Sequence, residues 1–228
     1  MLGLDDRVAA YAHGGSIWMI LLVAVLLGMR HATDPDHLAA VTTLVASGKD
    51  RAARRAGELG LAWGVGHATT LFFFGLPIVL LNNVLPERVQ QAAETAIGLV
   101  IVYLAVRLLL RSYRRELRFH DHPEAHGART RTAAFVIGLV HGMGGSAGVG
   151  VLLLASIQSR PIAVASLLLL AAGTAFSMTI LSTGFGSIMV AGPVRATFAT
   201  VAPALGALSL AFGVWYGAAA WSVAPYPF

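Results

Sequence analysis

The heptapeptide His31-Ala32-Thr33-Asp34-Pro35-Asp36-His37 interrupts a stretch, residues 17–46, that is otherwise apolar apart from Arg30. A single Asp at the centre of a membrane helix costs roughly 2.5–3.5 kcal/mol on insertion scales. A proline inside a helix costs on the order of 3 kcal/mol. A segment that merely crossed a membrane would not carry these residues together. Because imidazole and carboxylate are ligands of divalent transition metals, the heptapeptide predicts a metal site within a membrane.

The composition is that of an integral membrane protein. Hydrophobic residues make up 57% of the chain and charged residues only 12%, and the mean hydropathy is +0.73. Soluble domains carry about a quarter charged residues. The chain has no cysteine, which excludes disulfides, thiolate-bound zinc and iron–sulfur clusters. Asp5 and Asp6 stand where a cleavable signal peptide would be basic, so we expect no such peptide.

Apolar segments predict an all-α fold, a polytopic membrane bundle of about six transmembrane helices. The predicted spans are residues 16–45, 59–81, 93–110, 133–157, 162–190 and 197–221. Lys and Arg concentrate in the loops after the first, third and fifth spans, which the positive-inside rule assigns to the cytoplasm. We therefore expect a multi-pass protein of the cell (inner) membrane with both termini extracytoplasmic. The net charge of +5 reflects these loops, and we expect no nucleic-acid partner.

The whole chain, residues 1–228, is predicted to form a single transmembrane domain built from two halves. Residues 1–112 and 133–228 would be three-helix repeats of opposite direction, joined by a cytoplasmic, His-containing loop at 113–132. Gly28-Met29-Arg30-His31 resembles Gly138-Leu139-Val140-His141, and residues 66–70 loosely match residues 173–177. These two echoes favour a 3+3 inverted repeat, a recurring plan of secondary transporters.

Six polar residues within the predicted spans are the candidate metal ligands: His31, Asp34, Asp36, His37, His67 and His141. On a regular helix His31, Asp34 and His37 fall within an arc of about 120°, and a local break at Pro35 would let Asp36 turn inward as well. The glycine-rich stretch 142–150 indicates unwound or tightly packed backbone. The alternative is a purely structural cluster that clamps helices by hydrogen bonds.

Further histidines lie outside the predicted spans. His120, His122 and His126 lie in the third loop, which either captures and releases metal or is a solvated linker. His13 precedes the first span and is a candidate loading ligand.

These motifs resemble the nickel/cobalt transporter family of membrane permeases. The heptapeptide matches the family signature H-x4-D-H, with Arg30 before it and Leu38-Ala39-Ala40 after it, and Gly66-His67-Ala68-Thr69-Thr70 is similar to its second block. The resemblance implies transport of nickel or cobalt, with roles for His31, Asp36, His37 and His67. The larger permeases have eight spans, so this chain looks like a six-span relative, as in permeases associated with urease and with nickel efflux. Residues 144–146 lack the acidic residue that the family's later blocks often contain.

The sequence thus predicts a transporter and not an enzyme, for nickel or cobalt uptake, with efflux through the same site as the alternative. The partners of the protein would be the metal ion and the lipid bilayer, and we expect no resident cofactor. The sequence leaves open whether the protein forms a homo-oligomer. Two other functions share some of the residues. The pair His31-x4-Asp36 also occurs in lipid acyltransferases, where Asp orients a His base. His67 and His141 could ligate a haem between them.

Overall fold

The computed structural model describes residues 17–45, 52–81, 86–114, 130–143, 147–190 and 192–225. All elements in these ranges are helices, in agreement with the predicted all-α class. In chain order they are α1 (Ile17–His31), α2 (Pro35–Val45), α3 (Ala52–Leu81), α4 (Glu87–Tyr113), α5 (Arg131–His141), α6 (Ala147–Ala155), α7 (Arg160–Val190) and α8 (Gly192–Ala219). The predicted loop histidines and His13 lie outside the described residues.

The first predicted span is broken at the heptapeptide. Helix α1 ends at His31, α2 begins at Pro35, and the chain bends by 52° between them. Proline is favoured at the first position of a helix because its missing N–H would have no partner there. The backbone N–H of Thr33 donates to the carbonyl of Arg30 at 2.8 Å, and that of Leu38 donates to Asp34 at 3.0 Å. The break predicted at Pro35 is therefore confirmed.

Four helices, α3, α4, α7 and α8, are long and apolar enough to cross a membrane, and the bent pair α1–α2 provides up to a fifth span. The predicted span 133–157 corresponds to two shorter helices, α5 and α6, on either side of residues 144–146, which the structure does not describe. The chain is thus a multi-pass helical protein, whereas the predicted count of six spans is not confirmed.

Close helix contacts hold the bundle together. Helix α3 packs along α7 and α5, α1 packs along α7, and α4 packs along α8. A methyl group on Gly28 would overlap the backbone of Leu170 in α7, and one on Gly138 would overlap the backbone of Trp63 in α3. Small residues at such crossings let helix backbones approach closely, which is how membrane helices associate without a hydrophobic driving force.

Candidate metal centre

The break between α1 and α2 lies beside two other helices that carry histidine. His31 ends α1, Asp36 and His37 lie in the first turn of α2, His67 lies in the middle of α3 and His141 ends α5. All five side chains are buried, and none is more than 7% exposed. The fold therefore brings together residues separated by more than a hundred positions in the chain.

Three contacts of 3.1 Å connect these side chains. His31 Nε2 lies 3.1 Å from His67 Nε2. The Asp36 carboxylate accepts hydrogen bonds from His37 Nδ1 through Oδ1 and from His141 Nε2 through Oδ2, both at 3.1 Å. Adjacent ligands of a metal bound at about 2.1 Å lie about 3.0–3.4 Å apart. The contacts of 3.1 Å are hydrogen-bond lengths that also fall within this range.

The donor atoms form two groups of three. One group contains His31, His37 and His67, and the other contains Asp36, His37 and His141. Within each group the donor atoms lie within 4.8 Å of one another. His37 belongs to both groups, and its ring contacts those of His31, His67 and His141 at centroid distances of 4.5, 5.0 and 4.6 Å.

Asp34 occupies a different place from the other five candidates. Its Oδ2 lies 3.1 Å from His31 Nδ1, and it belongs to neither group of donors. A carboxylate that accepts from one ring nitrogen fixes the orientation of the ring and leaves the other nitrogen to face the metal. The geometry therefore suits Asp34 to orienting His31, whereas the sequence suggested that it would be a ligand.

Several buried nitrogen atoms in the cluster have no hydrogen-bond partner within the part of the chain that the structure describes. They are His37 Nε2, His67 Nδ1 and His141 Nδ1. A buried polar atom without a partner costs about 1–3 kcal/mol. A purely structural clamp would be expected to pair these atoms, so their number favours a site that receives a ligand.

Helix ends contribute to the electrostatics of the cluster. Helix α1 ends at His31 and helix α5 ends at His141. The C-terminus of a helix carries partial negative charge. Asp36 adds a buried carboxylate at the same place. The cluster thus combines imidazole nitrogen and carboxylate oxygen, which favour a cation, with the C-termini of two helices and the N-terminus of α2, whose partial charges have opposite signs.

Trp63 is a member of the site that the sequence did not indicate. Trp63 lies within α3 and is fully buried. Its indole lies 5.6 Å from the ring of His37 and 5.7 Å from that of His141, centroid to centroid. The available signal was its place four residues before His67, because residues at this spacing share a helix face.

The geometry also bears on the two other functions. His31 contacts Asp34, while Asp36 contacts His37 and His141, so the His31–Asp36 pair of an acyltransferase is not formed. The rings of His67 and His141 are 6.2 Å apart, but His37 lies against both. It therefore occupies space that a haem macrocycle would need.

Comparison with known proteins gives a family and two curated relatives. The family model described as HupE / UreJ protein matches residues 7–168. A protein named urease accessory protein UreH, from Bacillus sp. (strain TB-90), is 28% identical over 207 residues, which cover 86% of this chain and 90% of that protein. A protein named "Putative nickel/cobalt efflux system MJ1092", from Methanocaldococcus jannaschii, is 27% identical over 139 residues, covering 60% of this chain and 61% of that protein. No match was found among solved structures.

Proposed function

Because the chain belongs to the HupE/UreJ protein family, we propose that it is a membrane transporter of nickel or cobalt ions. One observation carries this proposal: four histidines and one aspartate, all buried, meet at a break in a membrane helix. Buried ionisable groups at membrane depth are costly and mark ion pathways. The bound ion would be the transported substrate, and the protein would need no resident cofactor.

The choice of nickel or cobalt rests on two supports. Imidazole together with carboxylate suits nickel, cobalt, copper and zinc, so the donor set alone admits all four metals. The name of the M. jannaschii relative refers to nickel and cobalt, and that of the Bacillus relative to urease. We propose His31, Asp36, His37, His67 and His141 as the ligands, with Asp34 orienting His31.

We propose further that the chain has six spans arranged as an inverted repeat, with α5 and α6 as the broken fourth span. The supporting observation is a reciprocal pair of contacts. Gly28 lies against Leu170 and Thr174, and Gly138 lies against Trp63 and His67. In both cases the glycine lies three residues before the histidine that ends its helix, and the contacted residues are four apart on a long helix of the other half.

The second sequence echo follows the same pattern. Gly66 of α3 lies against the backbone of Phe135 and Leu139 in α5, and Gly173 of α7 lies against that of Val25, Gly28 and Met29 in α1. Each half would thus pack its broken span on the long helix of the other. Rocking of the halves around the cluster would expose it alternately to the two sides.

We propose that the arginine-rich helix ends face the cytoplasm. Both termini of the chain would then lie on the extracytoplasmic side of the inner membrane. Arg131 at the start of α5 and Arg54 near the start of α3 both bind Glu58, at 2.9 and 3.3 Å. These helix starts therefore lie at the same end of the bundle. The direction that we propose is uptake, with efflux as the second candidate, because one relative is named for efflux.

The experiment that tests the proposal is accumulation of radiolabelled nickel at trace concentration in cells that express the wild-type chain or His37→Ala. His126→Ala in the third loop serves as a control that should behave as the wild type. Higher accumulation that vanishes in His37→Ala supports uptake, and lower accumulation restored by that variant supports efflux. If neither nickel nor cobalt accumulation depends on the chain, at equal membrane abundance of the variants, the proposal is rejected.

A further inference from the structure

The cluster contains more donors than one ion can bind in this arrangement. Two ligands of a metal bound at about 2.0–2.1 Å are at most about 4.2 Å apart. The rings of His67 and His141 both contact the ring of His37. Among the described residues the donors form two groups of three and no larger group. A single ion can therefore occupy one group or the other.

We propose that the transported ion has two successive positions that share His37. The first position is formed by His31, His37 and His67, and the second by Asp36, His37 and His141. An ion that moves between them exchanges two ligands and keeps the third. This inference rests on the proposed transport of nickel or cobalt and specifies the path of the ion within the site.

The two positions belong to different parts of the bundle. The first takes ligands from α1, α2 and α3, and the second takes them from α2 and α5. His37 lies on the short helix after the break, between the ends of α1 and α5, and is 1% exposed. Movement of the ion therefore transfers it from the end of α1 to the end of α5.

The positions also differ in charge. The first consists of three imidazoles, with the Asp34 carboxylate behind His31. The second contains the Asp36 carboxylate, which holds His37 and His141 in place through its two oxygens. Because the positions share His37, they are alternatives, and the overall binding constant of the protein is the sum of two constants. This sum is the property that an experiment can detect.

The test is a double-mutant cycle on the purified full-length protein in detergent, with 63Ni2+ binding measured by equilibrium dialysis. The variants are His67→Ala, His141→Ala and the double variant, and His37→Ala removes a ligand from both positions. Each single variant should raise Kd less than tenfold, because the other position remains. The double variant and His37→Ala should raise it more than a hundredfold. Each single variant should nevertheless lose more than nine tenths of transport.

Ser166→Ala is the matched control. Ser166 is fully buried on α7. The part of α7 beside the cluster is at Ser177, whose hydroxyl donates to the Met29 carbonyl at 2.9 Å. Ser166 lies roughly 16 Å along the helix from Ser177 and therefore away from the cluster. Its Kd should stay within twofold of the wild type. If an Ala variant does not elute as a single species, the cycle is repeated with His67→Gln and His141→Gln.

Two results would overturn the two-position model. One is a single variant that loses as much affinity as the double variant, and the other is a double variant whose effect equals the product of the single effects. Either result, with saturable binding and transport in the wild type, indicates one shared position and leaves the proposed function intact. Absence of saturable nickel and cobalt binding and of transport in the wild type rejects both proposals.

Discussion

Gly138→Ala tests whether the close crossing of α3 and α5 sets the geometry of the metal centre. A Cβ on Gly138 would overlap the Trp63 carbonyl oxygen and would lie 2.9 Å from the His67 backbone nitrogen and 3.0 Å from the Trp63 carbonyl carbon. Ordinary contacts of this kind are 3.4–4 Å. The contacted atoms are all backbone, so no side-chain rotation relieves the overlap. The helices must separate by about 1 Å to bring the Trp63 carbonyl oxygen to an ordinary contact distance.

This displacement is large compared with the tolerance of a metal site, in which bond lengths hold within about 0.2 Å. Overpacking of this kind costs about 1–3 kcal/mol. His67 and His141 lie on the two helices that would separate. We therefore expect Gly138→Ala to insert in the membrane, to bind nickel at least tenfold more weakly and to lose most transport.

The assay is 63Ni2+ dialysis on the purified protein together with accumulation in cells, normalised to membrane abundance. Gly184→Ala on α7 is the matched control, because a Cβ there meets nothing within 4 Å. Its affinity and transport should equal those of the wild type. Wild-type affinity and transport in Gly138→Ala would refute the reasoning that this contact sets the spacing of the ligands.

Substitutions at three further residues have distinct expected outcomes. Asp36→Ala should abolish transport while the protein still inserts, because it leaves the ring nitrogens of His37 and His141 without their shared acceptor; normal accumulation at equal abundance would contradict this. Asp34→Asn should weaken nickel binding about 10–100-fold, as for other carboxylates behind a ligating histidine, and an unchanged Kd in dialysis would argue against its orienting role. Trp63→Ala should destabilise the protein by about 3–5 kcal/mol, measured by thermal unfolding in detergent. Trp63→Phe should bind nickel with an affinity within a few-fold of the wild type. Equal melting temperatures for the two variants would contradict the packing argument.

The parts of the site that follow local rules were predictable from the sequence. Polar residues and a proline in an apolar segment indicated both the site and the helix break, and the family resemblance drawn from the heptapeptide is confirmed by the family match. His67 and His141 were chosen because ionisable residues at membrane depth are rare. The structure places both beside the heptapeptide.

Other features depend on how helices cross, which local patterns do not contain. Asp34 and Asp36 are two residues apart in one motif, yet they contact different histidines because the chain turns between α1 and α2. Trp63 is buried by a core cluster to which α2, α4, α5 and α7 all contribute residues. The division of the donors into two groups likewise depends on distances across α1, α2, α3 and α5, which no spacing in the sequence encodes.

The packing of α1 on α7 and of α5 on α3 has a consequence for biosynthesis. When only the first 113 residues have been inserted, the helices already made are missing packing partners. Helix α1 is without α7, α3 is without α5 and α7, and α4 is without α8. His31, Asp36, His37 and His67 are then present without α5, which carries His141, and without α7, which packs along α1 and α3. The cluster of four histidines and Asp36 is therefore complete only after α5 has been inserted. A half-made chain would hold the donors His31, His37 and His67 but not the group that contains His141.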